Sequence, residues 1–325
     1  MSIKTGLIGS YPRPVNLAKV FSRYNSKKID KEKLNQEIRR YTEKFFSLVK
    51  EVNVEYFTDG LLRWDDLIDL TFSYLKSPTK DGLIRFYDNN FYYRRPVISS
   101  KLEKDDSQLL EAIKEDLELL KKLEIGGTLK AVVVGPITYA TLSENKYYND
   151  FQKLLEDYSK ILNEVLSDLQ SYVNAVEIHE PGFFDKNVKR DLIERANEYY
   201  EIIGKGLKIE KHLISYFDIQ VDRLKEYFNL PVDVYGVDVI ENRKKLGKVY
   251  PFFKDKNVYL GVLDTRNTKM ESITTIKRFI SSSNESGAKD IIIGNASLMD
   301  FIPEIVAVRK IKLLNKVVSK DGKRA

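Results

Sequence analysis

Ala175-Val176-Glu177-Ile178-His179-Glu180-Pro181 is a short apolar run with β-branched residues that ends in a histidine and a glutamate before a proline. Upstream of it, Leu154, Leu155, Tyr158, Ile161, Leu162, Val165 and Leu169 recur at three- and four-residue spacing, the period of one helix face. Downstream, a helical stretch over about 187–203 leads into a second strand-like run at 212–217. The repeating unit is therefore strand, polar strand end, helix.

The same unit extends in both directions. Strand candidates are 3–8, 54–58, 84–87, 131–137, 175–179, 212–217, 232–240, 258–263 and 290–293. Helical stripes run through Leu34, Ile38, Tyr41, Phe45, Leu48, Val49 and Val52 behind the N-cap candidate Asp30, and through Leu110, Ile113, Leu117 and Leu120. Further helical segments cover 219–228, 270–283 and 303–318. Repeated β–α alternation without a composition break predicts one α/β domain over residues 1–325, a closed (β/α)8 TIM barrel. The strand count is one too many for eight, so one candidate is a hairpin arm, an extra strand or a misreading. Segment 76–104, rich in Tyr and Phe beside two arginines, reads as a long βα-loop or hairpin. Gly9-Ser10-Tyr11-Pro12 lacks the spacing of a dinucleotide or P-loop fingerprint.

Composition narrows the chemistry. The chain has no cysteine, which excludes disulfides, thiolate nucleophiles and Cys-ligated metal in this chain, and its two histidines exclude a His-rich zinc site. Lys and Arg exceed Asp and Glu by 54 − 48 = 6, which favours anionic partners. The signs are interspersed except near residues 19–28 and at the C-terminal SKDGKRA, so nucleic acid is not expected as a partner. The absence of a long apolar run predicts no membrane span, and the N-terminus does not read as a signal peptide. A cytoplasmic location is expected. Abundant Lys, Glu, Ile and Tyr with scarce Met and no Cys suggest a thermophile.

In a barrel of this kind the residues just after each strand face the mouth. Here they are Ser10, Asp59, Asp88 with Asn89, Thr138, His179 with Glu180, Asp218, Asp238, Asp264 with Arg266 and Asn267, and Asn295. About half are expected to cap the turn that follows. Asn89, His179, Glu180, Asp238 and Asp264 are expected to line one pocket. His179 beside Glu180 suits acid–base work or ligand orientation, and the Arg266 fork suits a carboxylate.

Taken in order, several motifs resemble the cobalamin-independent methionine synthase family. They are Trp64-Asp65-Asp66-Leu67-Ile68-Asp69, Phe86-Tyr87-Asp88-Asn89-Asn90-Phe91-Tyr92-Tyr93, Gly135-Pro136-Ile137-Thr138 and Glu177-Ile178-His179-Glu180-Pro181. Tyr216-Phe217-Asp218, Leu230-Pro231-Val232-Asp233 with Asp238, and Gly261-Val262-Leu263-Asp264-Thr265-Arg266-Asn267 complete the series. The resemblance implies a pair of related barrels, of which the C-terminal one holds zinc and methylates homocysteine from a methyl-folate polyglutamate. This chain is most similar to the N-terminal, non-zinc barrel. It lacks cysteine, carries Leu61 after Gly60 where the catalytic barrel has glutamate, and has His179 where that barrel has aspartate.

The resemblance thus implies an accessory barrel of methionine biosynthesis, with no catalytic residue assigned and no cofactor or metal bound by this chain. Its expected partners are a zinc-bearing catalytic barrel and a folate or related pterin polyglutamate. Ser10, Asp59, Asn89, His179, Glu180, Asp238, Asp264, Arg266 and Asn267 are the candidate substrate-binding residues. Arg13 with Lys19, Arg23 and Lys27, spaced to share one helix face, are candidates for the folate tail. The alternative is a stand-alone zinc-free methyltransferase or small-ligand-binding barrel using the strand-end carboxylates and His179.

Overall fold

A computed structural model describes residues 3–318; the basic C-terminal stretch 319–325 lies outside the described residues. The strands, in chain order, are β1 (Ile3–Thr5), β2 (Tyr56–Phe57), β3 (Thr79–Arg85), β4 (Tyr92–Ile98), β5 (Thr128–Val134) and β6 (Glu144–Asn145). They continue as β7 (Ala175–His179), β8 (Glu210–Ile214), β9 (Val234–Asp238), β10 (Asn257–Leu263) and β11 (Asp290–Asn295). Eight of them form one parallel sheet in the order β1-β11-β10-β9-β8-β7-β5-β2. A parallel bridge from Gly6 to Tyr56 joins its two edges, with Leu7 N–H donating to Tyr56 O at 2.8 Å. The sheet closes into a barrel at this seam, which leaves it without a free edge strand of full length.

The helices form as their periodicity dictates. Asp30 accepts from Lys33 N–H at 2.8 Å and starts the helix Lys31–Val52, whose buried positions are the predicted stripe joined by Thr42 and Phe46. Asn53, in left-handed backbone, ends it. The stripe on Phe151–Leu169 is buried throughout, behind Asp150 as N-cap. Each helix lays its apolar face on the outside of the sheet, where burying a Leu or Phe side chain contributes about 1.5–3 kcal/mol.

The ninth strand candidate, 84–87, is the end of a hairpin arm. β3 and β4 pair antiparallel, and β4 pairs with β6, so this three-stranded sheet stands apart from the barrel. Its turn, Phe86 to Phe91, is closed by Phe86 N–H donating to Phe91 O at 2.8 Å. β3 is exposed at all seven residues, while Phe86 is buried. The hairpin therefore drives aromatic side chains back into the protein from an otherwise solvated arm.

One expectation about a helix needs correction. The helix after β1 is Val15–Asn25, and Lys27 lies beyond its end in left-handed backbone. Chain reversal there, with Lys27 N–H on Tyr24 O and Lys28 N–H on Arg23 O, takes Lys27 off the face shared by Lys19 and Arg23. That face carries two of the three expected cations.

Candidate functional site

The interior of the barrel is charged. Lys130 interrupts the apolar run of β5 and its ammonium sits 2.5 Å from Glu177 Oε2. Glu177 Oε1 accepts from Gly9 N–H at 2.6 Å and lies 2.7 Å from His179 Nε2. Burial opposes ionisation of Glu177, but the Lys130 ammonium and His179 outweigh it and hold the carboxyl at about 2. A carboxylate can only accept, so His179 Nε2 carries a hydrogen. Its Nδ1, buried, makes no hydrogen bond to the protein.

Glu180, the next residue, turns the other way. Its oxygens accept from Thr138 N–H at 2.6 Å, the Thr138 hydroxyl at 2.5 Å, Tyr200 at 3.0 Å and Ile137 N–H at 3.2 Å. Thr138 in turn accepts from Gly182 N–H at 2.9 Å. A Cβ at Gly135 would overlap the Glu180 carboxylate, so glycine is what lets the turn and the carboxylate meet. Burial pushes the Glu180 carboxyl up to about 7 against the pull of these donors. Glu180 ties the end of β7 to the start of the helix Pro136–Leu142 and has no face toward the mouth.

Over these groups lies an aromatic cover. Tyr87 meets Phe217 at 5.8 Å between ring centroids, Phe86 meets Phe217 at 6.3 Å, and Phe301 meets both Phe91 and Phe217. The cover splits the mouth, so the expected single pocket does not form. Asn89 and Arg266 line a groove of about 360 Å³ above Tyr87 and Tyr216. Asp264 and Asn267 line a separate one of about 420 Å³. Ser10 and Arg13 belong to a third, of about 360 Å³, on the far side of Phe91. His179 and Glu180 are fully buried beneath, and Asp238 nearly so.

Several candidates are used up by local turns, as was expected for about half of the rim. Asp59 Oδ1 accepts from Leu61 N–H, Asp238 Oδ1 from Ile240 and Glu241 N–H, and Asp264 Oδ1 from Arg266 N–H. The second oxygen of Asp59 pairs with Arg63, which also binds Asp116 and Glu115. Asn295 clamps Ile8 through both its amide atoms. Arg266 lies over the Phe217 ring at 5.4 Å and pairs with Glu241 at 3.1 Å, which engages part of its fork. Arg13 is engaged too, with Asp65, the Trp64 carbonyl and the Phe21 ring. Lys19 and Arg23 are exposed.

Three features escaped the sequence reading. Lys130 could have been flagged, because a lysine inside an apolar strand needs a buried partner. Asp66 and Asp300 line the Ser10 cavity, and burial pushes their carboxyls up to about 7 and about 6. Asp300 lies past the strand end on a short 3-10 turn, Met299–Phe301, where strand-end counting does not reach. The third, the Tyr87–Phe217 contact, joins positions without any sequence signal for meeting.

A zinc site of the catalytic type does not fit this chain. No thiolate is present, His179 Nε2 is committed to Glu177, and His212 Nε2 lies 2.9 Å from Glu210. Among the described residues no group of three or more His, Cys, Asp or Glu is arranged to hold a metal ion. No helix of the described residues is long and apolar enough to cross a membrane.

Residues 76–286 match the family described as the cobalamin-independent synthase, N-terminal domain. The chain belongs to that family. It is 24% identical over 325 residues to a methionine synthase of Sulfolobus acidocaldarius, covering 97% of this chain and 90% of that protein. It is 27% identical over 283 residues to a methionine synthase of Saccharolobus solfataricus, covering 83% of this chain and 80% of that one. Among solved structures, a B12-independent methionine synthase from Shewanella sp. W3-18-1 in complex with selenomethionine superposes with a TM-score of 0.81. That match covers 99% of this chain and 98% of the other at 16% identity, and so speaks for the shared fold.

Proposed function

We propose that this chain is the non-catalytic barrel of a cobalamin-independent methionine synthase, working in the cytoplasm beside a zinc-bearing catalytic barrel. It docks to that barrel and helps hold the folate or related pterin polyglutamate that carries the methyl group. The observation that carries this reading is the donor set. A thiol substrate needs a metal to lower its pKa, and this chain offers no cysteine and two histidines already bound to its own glutamates. Membership of the N-terminal-domain family supports it, as does the aromatic cover over His179 and Glu180. Lys19 and Arg23, exposed on one helix face with Arg13 at its foot, supply positive charge for a polycarboxylate tail.

The test is reconstitution. The purified chain, a zinc-bearing barrel of the same organism and both together are assayed for methyl transfer from a methylated pterin polyglutamate to homocysteine. Activity that needs both, with the two proteins co-eluting, is the expected result. Full activity of the zinc barrel alone, unchanged by this chain, overturns the proposal.

A second reading, a barrel that binds its own small ligand without zinc, is favoured by one observation. His179 Nδ1 and the Tyr216 hydroxyl are buried on two rings in contact and make no hydrogen bond to the protein.

A further inference from the structure

Among the described residues, Tyr87 and Phe217 are the aromatic ones held in left-handed backbone, at φ of 51° and 72°. That region crowds Cβ against the backbone, and bulky side chains rarely occupy it. These two stand 130 positions apart (217 − 87), one in the hairpin turn and one past the end of β8, and their rings pack at 5.8 Å. Two strained residues that meet are held there by what surrounds them, and such strain gathers at ligand clamps and switches.

Beneath them lies an incomplete polar group. Tyr216 is edge-on to His179 at 5.7 Å, and Phe217 packs on Tyr216 at 4.8 Å. The Tyr216 hydroxyl and His179 Nδ1 are both buried, and neither makes a hydrogen bond to the protein. Buried polar atoms are nearly always paired, so an orphan on each of two rings in contact marks a place built to meet something else. The Lys130–Glu177 pair fixes the His179 ring from behind, with the hydrogen on Nε2. A ring so held leaves Nδ1 as its one polar atom without a partner in the protein. Burial keeps the Tyr216 phenol protonated, able to donate or accept.

We propose that Tyr87 and Phe217 form a displaceable gate over a buried site made by His179 and Tyr216, and that the ligand which opens it hydrogen-bonds to His179 Nδ1 and the Tyr216 hydroxyl. The approach is the groove above, where Asp88, Asp185, Asp218 and Glu241 outnumber Lys186 and Arg266, a field that disfavours anions. Displacement lets both residues leave left-handed backbone, so ligand contact and relief of crowding act together. This inference does not depend on docking to a zinc barrel.

The chain's two histidines make the test self-controlled, since His212 is equally buried but lies elsewhere in the barrel, beside Tyr56 and Glu210. Phe217→Gly and Tyr87→Gly remove one ring each and suit left-handed backbone. Diethyl pyrocarbonate should modify His179 about tenfold faster or more in each variant than in the unaltered chain, with His212 unchanged. Equal rates at His179 in all three proteins, or equal acceleration at both histidines, overturns the gate. A second measurement needs no variant. With 15N-histidine label, methylammonium, a cation that the acidic groove admits, should shift the His179 Nδ1 resonance saturably. Formate and potassium chloride at the same ionic strength should leave it in place. No saturable shift with methylammonium, or an equal one with formate, overturns the proposed site and its charge preference.

Discussion

The Lys130 ammonium and the Glu177 carboxylate lie 2.5 Å apart with neither side chain exposed, and the same carboxylate reaches Gly9 and His179. A buried pair of this kind is weak evidence for stability as a whole, because two desolvation penalties stand against one attraction. Breaking it is another matter.

Lys130→Met strands a buried carboxylate and should lower unfolding stability by about 3–5 kcal/mol, read from urea denaturation midpoints. Adding Glu177→Leu should recover part of the loss, since the unpaired charge disappears while Gly9 and His179 still lack their acceptor. A double variant as unstable as the single one contradicts this account.

Asp238 gives the chain a pH signature. Burial raises its carboxyl to about 7 in the fold, against 3.8 for the free residue, while two backbone N–H groups pull the other way. A raised carboxyl pKa means that the unfolded chain ionises first. The stabilising contribution is complete below the unfolded value and fades as pH rises toward the folded one. Asp238→Asn keeps the acceptor oxygen and removes the titration. Its melting temperature relative to the unaltered chain should therefore be higher at about pH 8 than at about pH 4. A constant difference across that range contradicts the assignment.

Metal analysis of the purified chain should find no stoichiometric zinc, and the chain alone should not methylate homocysteine. One tightly held zinc per chain would falsify the reading of the donor set, because only weak mixed histidine and carboxylate ligation is available.

Lys19→Glu with Arg23→Glu tests the exposed helix face in the presence of the partner barrel. Binding of a pterin polyglutamate should weaken about tenfold or more, and that of the monoglutamate much less, with the gap closing at high salt. Equal effects on both ligands leave these cations as ordinary surface. Lys27→Glu should do little, because that residue is off the helix face.

The barrel was legible in the sequence because its signals are local. A short β-branched run in Ala175–His179 and a period near three and a half in Phe151–Leu169 are each written within one element, and their alternation predicts the closed parallel sheet. Asp30 as a cap follows from the same kind of reading, whereas the structure decided that the excess ninth strand is a hairpin arm. Apart from Asp88 and Asn89, which sit in the turn of the separate hairpin, the rim residues were found as ends of barrel strands, which the fold gathers on one face.

What each rim residue does was decided only in three dimensions. Asp59, Asp238 and Asp264 look like site carboxylates in the sequence, but each has backbone N–H groups within two or three residues that claim its oxygen. Lys130 meets Glu177 across 47 residues, and Tyr87 meets Phe217 across a longer span, with no glycine or asparagine to announce the left-handed backbone. The sequence by itself determined the periodic elements and the end of the barrel where polar groups gather. Which of those groups share a cavity, which are buried and which are spent on turns depended on packing between distant segments, because pairing and exposure are properties of neighbours in space rather than of spacing along the chain.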